Sequence, residues 1–180
     1  MELGARRSRP VKKRRSVPTL TSPHMTGKSK TTKFTLHLSR RGAESVRKPL
    51  NAVLISISDP NSESPRIHAD AWLDVLAISF HDVSSTDPVW VSNGYFPPDE
   101  AHAKEIAAFI AKHHTKSIVA HCEVGISRSA AVSAVLTAFG WHYIESQECG
   151  LRYANPLLKR LLLREITSPV YFQEMDVAIT

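Results

Sequence analysis

The chain has 180 residues, enough for one ordinary domain, and 42% of them are hydrophobic, so it can bury a substantial core. Its formal charge of +6 is unevenly spread, because residues 1–33 carry ten Lys and Arg but one acid, whereas residues 34–180 carry a net charge of −3. Two cysteines do not indicate a disulfide framework, and no apolar run approaches the about 18–20 residues of a membrane span. The N-terminus also lacks the apolar core of a secretory signal.

Residues 1–33 are basic, rich in Ser, Thr and Pro, and poor in apolar side chains. Such a composition buries too little surface to fold alone, so we expect a disordered extension. The cluster at 6–15 holds seven cations, which also permits contact with nucleic acid or an anionic surface. The scarcity of acids fits a transit peptide as well, and Met25 is an alternative start; the sequence leaves these possibilities open.

The first half of the remaining chain alternates short apolar runs with polar breaks, which predicts strands separated by loops. In chain order we predict an edge strand at 34–38, a short helix or irregular turn at 40–47, a buried strand at 51–57, a loop at 59–65 and a strand at 73–78. A long polar loop without clear regular structure is predicted at 81–97.

Helical patterns dominate the second half. Pro98-Asp99-Glu100 predicts the start of a helix that runs to about 114, because proline suits the first turn and acids suit the positive end of the helix dipole. A buried strand at 118–120, a helix at 127–140 and a last helix after Asn155-Pro156 follow. Strands alternating with helices predict an α/β domain over 34–180, with a largely parallel central sheet flanked by helices.

The most informative stretch is 117–131, which reads Ser-Ile-Val-Ala-His-Cys-Glu-Val-Gly-Ile-Ser-Arg-Ser-Ala-Ala. Cys122 opens a short loop before a helix, where inward-pointing N–H groups and the positive helix end favour an anion and lower the pKa of a thiol from about 8.5. Gly125 permits a tight turn, and the planar fork of Arg128 can bind two oxygens of a phosphate. A nucleophile inside such an oxyanion cage is suited to covalent phosphoryl transfer.

This arrangement resembles the signature of the cysteine-dependent protein phosphatases, His-Cys-x5-Arg-Ser/Thr, and the small-residue helix that follows is most similar to the dual-specificity branch. Residues 117–140 carry the resemblance, which extends over about 34–166. It implies a protein tyrosine phosphatase-like fold with Cys122 as nucleophile and Arg128 as phosphate clamp. It also implies that Ser129 assists breakdown of a phosphocysteine, and that His121 orients the loop and helps to keep the thiol acidic. The phosphate-binding residues are then Glu123, Val124, Gly125, Ile126, Ser127 and Arg128.

A phosphocysteine mechanism also needs a proton donor for the leaving group, and a carboxylic acid on a loop suits this task. In the resembling family an aspartate lies some thirty to forty residues before the cysteine, just after a strand. Asp82 and Asp87 both fit, and we favour Asp82 because it follows the predicted strand directly. Asn155-Pro156 reverses a Pro-Asn pair whose asparagine braces the loop in many family members, and Asn before Pro also suits a helix cap.

The loop composition bears on the substrate. Phosphoinositide phosphatases of the superfamily typically carry lysines in this loop, but here it holds none and Glu123 is acidic. Relatives that act on RNA 5′-triphosphates carry an asparagine where Ser127 stands. We therefore expect a phosphorylated protein side chain or a small phosphomonoester as substrate.

Other interpretations remain at this point. A pseudophosphatase that binds phosphate with poor turnover keeps the same cradle, and rhodanese-like proteins also use a Cys-x5-Arg loop, although the serine after Arg128 fits them less well. No His, Cys or Asp grouping has metal-ligand spacing, so we expect neither metal nor other cofactor. A reactive thiolate needs a reducing compartment, which predicts a cytoplasmic protein. Cys149 offers a partner for a reversible disulfide with Cys122, although a lone loop cysteine needs no such role.

Overall fold

The computed structural model describes residues 32–146 and 150–168, and a sheet of five parallel strands lies at the centre of this part. The strands are β1 (Phe34–Ser39), β2 (Ala52–Ser58), β3 (Val75–Ser79), β4 (Ser117–Cys122) and β5 (His142–Tyr143). Their order across the sheet is β3-β2-β4-β1-β5. The predicted α/β class with a central parallel sheet is therefore confirmed.

Five helices surround the sheet: α1 (Arg40–Ser45), α2 (Pro88–Ser92), α3 (Glu100–Lys112), α4 (Arg128–Ala138) and α5 (Pro156–Ile166), all within the described ranges. Side chains of α3, α4 and α5 share one buried cluster with the alternate β2 residues Val53, Ile55 and Ile57. The intervening β2 residues Ala52 and Leu54 pack in a second cluster with Trp72 and Val119. Because both faces are covered, the inner strands read as continuous apolar runs.

The helix starts follow the capping chemistry of the sequence. Asp99 caps α3 by accepting the His102 N–H at 2.9 Å, and His102 Nδ1 accepts the Asp99 N–H in return. Asn155 caps α5 through the Leu158 N–H at 2.9 Å, with Pro156 in the first turn. These two predicted starts are confirmed, and the loop beginning at 59 and the short helix after residue 39 are also present.

Three local predictions were wrong. β1 is not an edge strand, because the two-residue strand β5, which the sequence pattern does not reveal, pairs with its outer side. The segment 81–97 is not without regular structure, since Asp87 caps the short helix α2 inside it. β3 begins at Val75 rather than at Leu73, which is 53% exposed and precedes the paired residues.

Residues 1–31 lie outside the described residues, so the expected disorder and the possible contact with nucleic acid or an anionic surface stay predictions. Lys33, which closes the basic segment, is described: its Nζ donates to the His114 carbonyl at 3.0 Å and lies 3.3 Å from the Trp141 ring centroid. Cys149 also lies outside the described residues. Within the described ranges no helix combines the length and apolarity that crossing a bilayer requires.

Asp74 joins the start of β3 to the end of α3 and gives the fold a testable pH dependence. Lys112 Nζ at 2.8 Å and His113 Nε2 at 2.9 Å hold the pKa of Asp74 at about 2, below its usual 3.8. The stabilisation is therefore fully present above about pH 4 and is lost as the pH falls toward 2. Asp74→Asn should lower the free energy of unfolding at pH 7 by about 1 kcal/mol, because a carboxylate that is 34% exposed is partly screened.

Urea unfolding at pH 7, 5 and 3 measures this effect, and the difference between wild type and Asp74→Asn should shrink at pH 3. Asp70→Asn is the matched control, since Asp70 is an exposed carboxylate and the described residues give it no ion pair. A loss that is the same at pH 3 and pH 7 would contradict the assignment.

Candidate active site

The residues singled out in the motif lie where parallel strands end. Cys122 is the last residue of β4, the middle strand, and Asp82 follows β3 closely. Asp59 follows β2, and Arg40 follows β1. Carboxyl ends of parallel strands share one edge of a sheet, so four separate parts of the chain contribute charged or nucleophilic groups to one place.

Cys122 is buried, with 2% of its surface exposed, and its sulfur has two polar neighbours. The Gly125 N–H donates to Sγ at 3.3 Å, and Ser129 Oγ lies 3.2 Å from Sγ. The loop therefore folds back so that a backbone donor from its middle and a hydroxyl from the first turn of α4 both meet the sulfur. The sulfur is thus held between two polar groups of the loop and α4.

The loop 123–127 is held against the end of β1. The Arg40 N–H donates to the Glu123 carbonyl at 3.2 Å. Gly125 has φ +77°, and a Cβ placed on it would lie 2.3 Å from the Ser39 nitrogen, far inside contact distance. Only glycine fits this position, because both its backbone conformation and the adjacent chain exclude a side chain. The predicted tight turn is thus present, and its cause is a backbone-to-backbone contact.

The side chains of the loop 123–127 differ in their partners and in their exposure. Glu123 pairs with Arg40 Nη1 at 3.3 Å, so its negative charge is partly neutralised at the mouth of the loop. Val124 is 65% exposed and Ile126 is partly exposed. Because neither side chain has a hydrogen-bond donor, only the backbone N–H groups of these residues can bind an anion. Ser127 holds the N-cap position of α4 without a side-chain cap bond, and its carbonyl accepts the Ala131 N–H at 2.9 Å.

Arg128 is buried, with 3% of its surface exposed, and is fixed at one end of its guanidinium. Nη1 donates to the Phe80 carbonyl at 2.6 Å and the Ser58 carbonyl at 3.3 Å, and lies 2.7 Å from Asp59 Oδ1. Nε, which belongs to the other fork of the group, is buried and has no partner in ranges 32–146 and 150–168. An unpaired buried donor is costly, so this fork is suited to an oxyanion.

His121 has a different environment from the one expected. Its Nε2 lies 2.7 Å from Ser56 Oγ on β2, and its side chain is fully buried. Burial lowers the pKa of His121 to about 4, and a backbone hydrogen bond at Cys122 acts in the opposite direction. The imidazole is therefore neutral near pH 7. One side-chain hydrogen bond, from Nε2 to Ser56, orients the ring, and the neutral imidazole adds no positive charge beside Cys122.

Asp82 is brought to the loop by two hydrogen bonds. Its Oδ1 accepts from Ser127 Oγ at 2.8 Å and from Asn155 Nδ2 at 2.7 Å. Both bonds use one oxygen, and Oδ2 has no partner among the described residues. The carboxylate is otherwise exposed, so Oδ2 is open to a group bound above the loop.

Asn155 connects the loop 123–127, the segment after β3 and the start of α5 through hydrogen bonds. Besides capping α5, it donates its N–H to the Ser127 carbonyl at 3.1 Å and its Nδ2 to the Val83 carbonyl at 3.1 Å. The bracing role and the cap thus coexist in one buried side chain, despite the reversed order of Asn and Pro. Asp87, in contrast, accepts the Val89 N–H at 3.0 Å as the cap of α2, and within 32–146 and 150–168 it makes no hydrogen bond to the loop 123–127.

Sequence reasoning missed two residues of this site. Asp59 and Arg40 each come directly after a strand, so the rule that ligand-binding groups follow the carboxyl ends of parallel strands would have identified both. The local pattern by itself predicts only a loop at Asp59 and a helix or turn at Arg40. Their partners, Arg128 and Glu123, lie about 70 and 80 residues away in sequence, and no local pattern links them.

Comparison with protein-family models found no match for this chain, and comparison with curated proteins found no relative.

Gly125→Ala tests the contact on which the loop depends, and Gly94→Ala is its matched control. Both glycines have positive φ, +77° and +79°, but a Cβ at Gly94 meets no atom within 4 Å. Gly94→Ala should lower the free energy of unfolding by about 1–2 kcal/mol, the strain of a left-handed alanine. Gly125→Ala should lower it by about 3 kcal/mol or more, because the end of β1 must also move. Urea unfolding measures both, and equal losses would contradict the described packing.

Proposed function

We propose that the protein is a cysteine-dependent phosphatase that hydrolyses phosphomonoesters, chiefly on tyrosine or other side chains of phosphoproteins, through a phosphocysteine intermediate. One observation carries the proposal: a buried Cys122 sulfur begins the same short loop that ends in Arg128, whose buried Nε has no partner among the described residues. A nucleophile and an unsatisfied oxyanion donor in one loop favour attack on phosphorus over a structural role.

In the first step the Cys122 thiolate attacks phosphorus, so that a sulfur–phosphorus bond forms as the bond to the leaving oxygen breaks. The Gly125 N–H donates to the attacking sulfur, and the free fork of Arg128 binds equatorial oxygens of the phosphoryl group as charge develops on them. Asp82 donates the proton that the departing alkoxide or phenoxide needs. Its Oδ2 is suited to this because the bonds from Ser127 and Asn155 hold Oδ1.

In the second step water attacks the phosphocysteine and releases inorganic phosphate. Asp82, now ionised, accepts a proton from the water. Ser129 Oγ, 3.2 Å from Sγ, donates a hydrogen bond to the sulfur as it leaves and so stabilises the thiolate. Every bond broken in this cycle is matched by one formed, and the enzyme returns to its starting state without a cofactor.

The cytoplasm is the proposed location, because a thiolate nucleophile is oxidised outside a reducing compartment. As for the substrate, the loop has no lysine to meet several phosphates, although the pairing of Glu123 with Arg40 makes the loop less negative than its sequence indicates. A single phosphate group on a protein side chain fits this charge balance better than a polyphosphorylated lipid.

Kinetics with phenyl phosphate and p-nitrophenyl phosphate test the mechanism. Cys122→Ser should abolish turnover. Asp82→Asn should lower kcat for phenyl phosphate by about 10²- to 10⁴-fold and remove the basic limb of the pH profile, because this leaving group needs a proton. The loss should be smaller for p-nitrophenyl phosphate, whose leaving group is stable without one.

Asp87→Asn is the matched control, since Asp87 is an exposed acid of the same loop that caps α2, and kcat should stay within about threefold of wild type. If Asp87→Asn loses the basic limb instead, the assignment of the acid is wrong. If the wild type is inert while vanadate still binds, the protein is a phosphate-reading pseudophosphatase.

Arg128→Lys tests the clamp separately from turnover. Lysine keeps the charge but lacks the planar fork, so tungstate should bind about 10- to 100-fold more weakly to Arg128→Lys than to wild type. Calorimetric titration with tungstate measures this affinity. Arg160→Lys, at an exposed position of α5, should bind tungstate as wild type does. Unchanged affinity in Arg128→Lys would exclude Arg128 as the clamp.

A further inference from the structure

The segment that follows Asp82 exposes an unusual number of large apolar side chains. Within eight residues, five are each 38–57% exposed: Val89, Trp90, Val91, Tyr95 and Phe96. Single exposed apolar residues are ordinary, but a contiguous set of this kind usually marks a binding surface.

The exposed aromatic rings of this segment form an ordered row with His81. Phe96 stacks on the His81 ring at 5.9 Å between centroids, Tyr95 meets the same ring edge-on at 5.3 Å, and Trp90 meets Tyr95 at 5.5 Å. Trp90 Nε1 also donates to Ser85 Oγ at 3.0 Å. We call His81, Phe96, Tyr95 and Trp90 the aromatic row; its members hold one another in place before any partner binds.

The row begins at the candidate active site. The His81 N–H donates to the Phe96 carbonyl at 2.7 Å, and the Phe96 N–H donates to His81 Nδ1 at 2.9 Å, which closes the neck of the loop. Asp82 is the next residue, and its carboxylate is bonded to Ser127 and Asn155. The row therefore continues directly from the residue whose carboxylate contacts the loop 123–127, and we take the polypeptide that carries the phosphate as its occupant.

The charge of the segment restricts that occupant further. Residues 83–98 contain one charged side chain, Asp87, which caps α2. No cation is present to attract an acidic peptide, so the surface favours apolar side chains. Ring-to-ring steps of 5.3 and 5.5 Å lead from His81 through Tyr95 to Trp90, and an extended chain advances about 3.3 Å per residue, so the row reaches about three residues of a peptide.

We propose that the aromatic row binds apolar side chains within about three residues of the phosphorylated residue, which makes an extended polypeptide, rather than a small phosphomonoester, the substrate of this site. The inference rests on the proposed phosphatase function. It assigns Trp90, Tyr95 and Phe96 to substrate selection and leaves the chemistry to the loop and Asp82.

Phosphotyrosine peptides with one leucine at each position from −3 to +3 in a serine background, compared with the all-serine peptide, test this directly. In wild type, kcat/KM should rise about tenfold for leucine at one or more of these positions. Trp90→Ala should reduce the leucine-to-serine ratio toward one, and Trp90→Phe should restore most of it. Leu73→Ala removes another exposed apolar side chain, one that precedes β3 and lies outside the row, and should leave the ratio unchanged.

The leucine-to-serine ratio of kcat/KM tests the aromatic row separately from the phosphatase function on which this proposal rests. Turnover of p-nitrophenyl phosphate without any leucine preference in wild type overturns the row as a substrate surface and leaves the phosphatase intact. An inert wild type overturns the phosphatase, and peptide affinities measured by fluorescence anisotropy then decide on the row. A dimer in sedimentation experiments that dissociates in Trp90→Ala would show that a second copy occupies the row, which also overturns the proposal.

Discussion

The Nη1 group of Arg128 is the interaction on which the site depends. It binds the Phe80 and Ser58 carbonyls and Asp59, so it joins the ends of β2 and β3 to the first residue of α4. The Ser58 carbonyl also accepts the Phe80 N–H at 3.1 Å, and the buried guanidinium gives a further donor to it and a donor to the Phe80 carbonyl. The same contacts fix one end of the guanidinium, so the side chain proposed as the phosphate clamp also joins these segments to α4.

The parts of the structure that arise from local chemistry could be predicted. β4, the glycine turn and α4 follow from a buried apolar run, a glycine and a row of small residues within 117–138. The caps at Asp99 and Asn155 also follow, because a helix start needs a side-chain acceptor within three residues. The position of Asp82 directly after a predicted strand is the basis for favouring it over Asp87, and its role as the acid stays a prediction; Asp82 contacts Ser127, whereas Asp87 caps α2.

What could not be predicted depends on contacts between distant segments. The order of strands in the sheet places β5 beside β1, where the two strands pair. A strand of two residues is too short to show an alternating pattern in the sequence. The neutral state of His121 depends on burial between β2 and β1, which its own sequence neighbours do not reveal. The segment 81–97 contains many Ser, Asn, Gly and Pro residues, so its aromatic residues had no period from which an ordered cluster could be inferred.

Asp82 lies at the neck of the loop 81–97 and not at its tip. The position of its carboxylate is therefore separate from the sequence of the outer part of this loop. The pair formed by His81 and Phe96 closes the loop behind Asp82, while Asn155 holds the Val83 carbonyl in front of it. Insertions or replacements near α2 would therefore change the outer part of the loop without shifting the carboxylate. Such a loop is a natural site for grafting: its tip could be exchanged for other sequences to redirect the protein while the acid keeps its position.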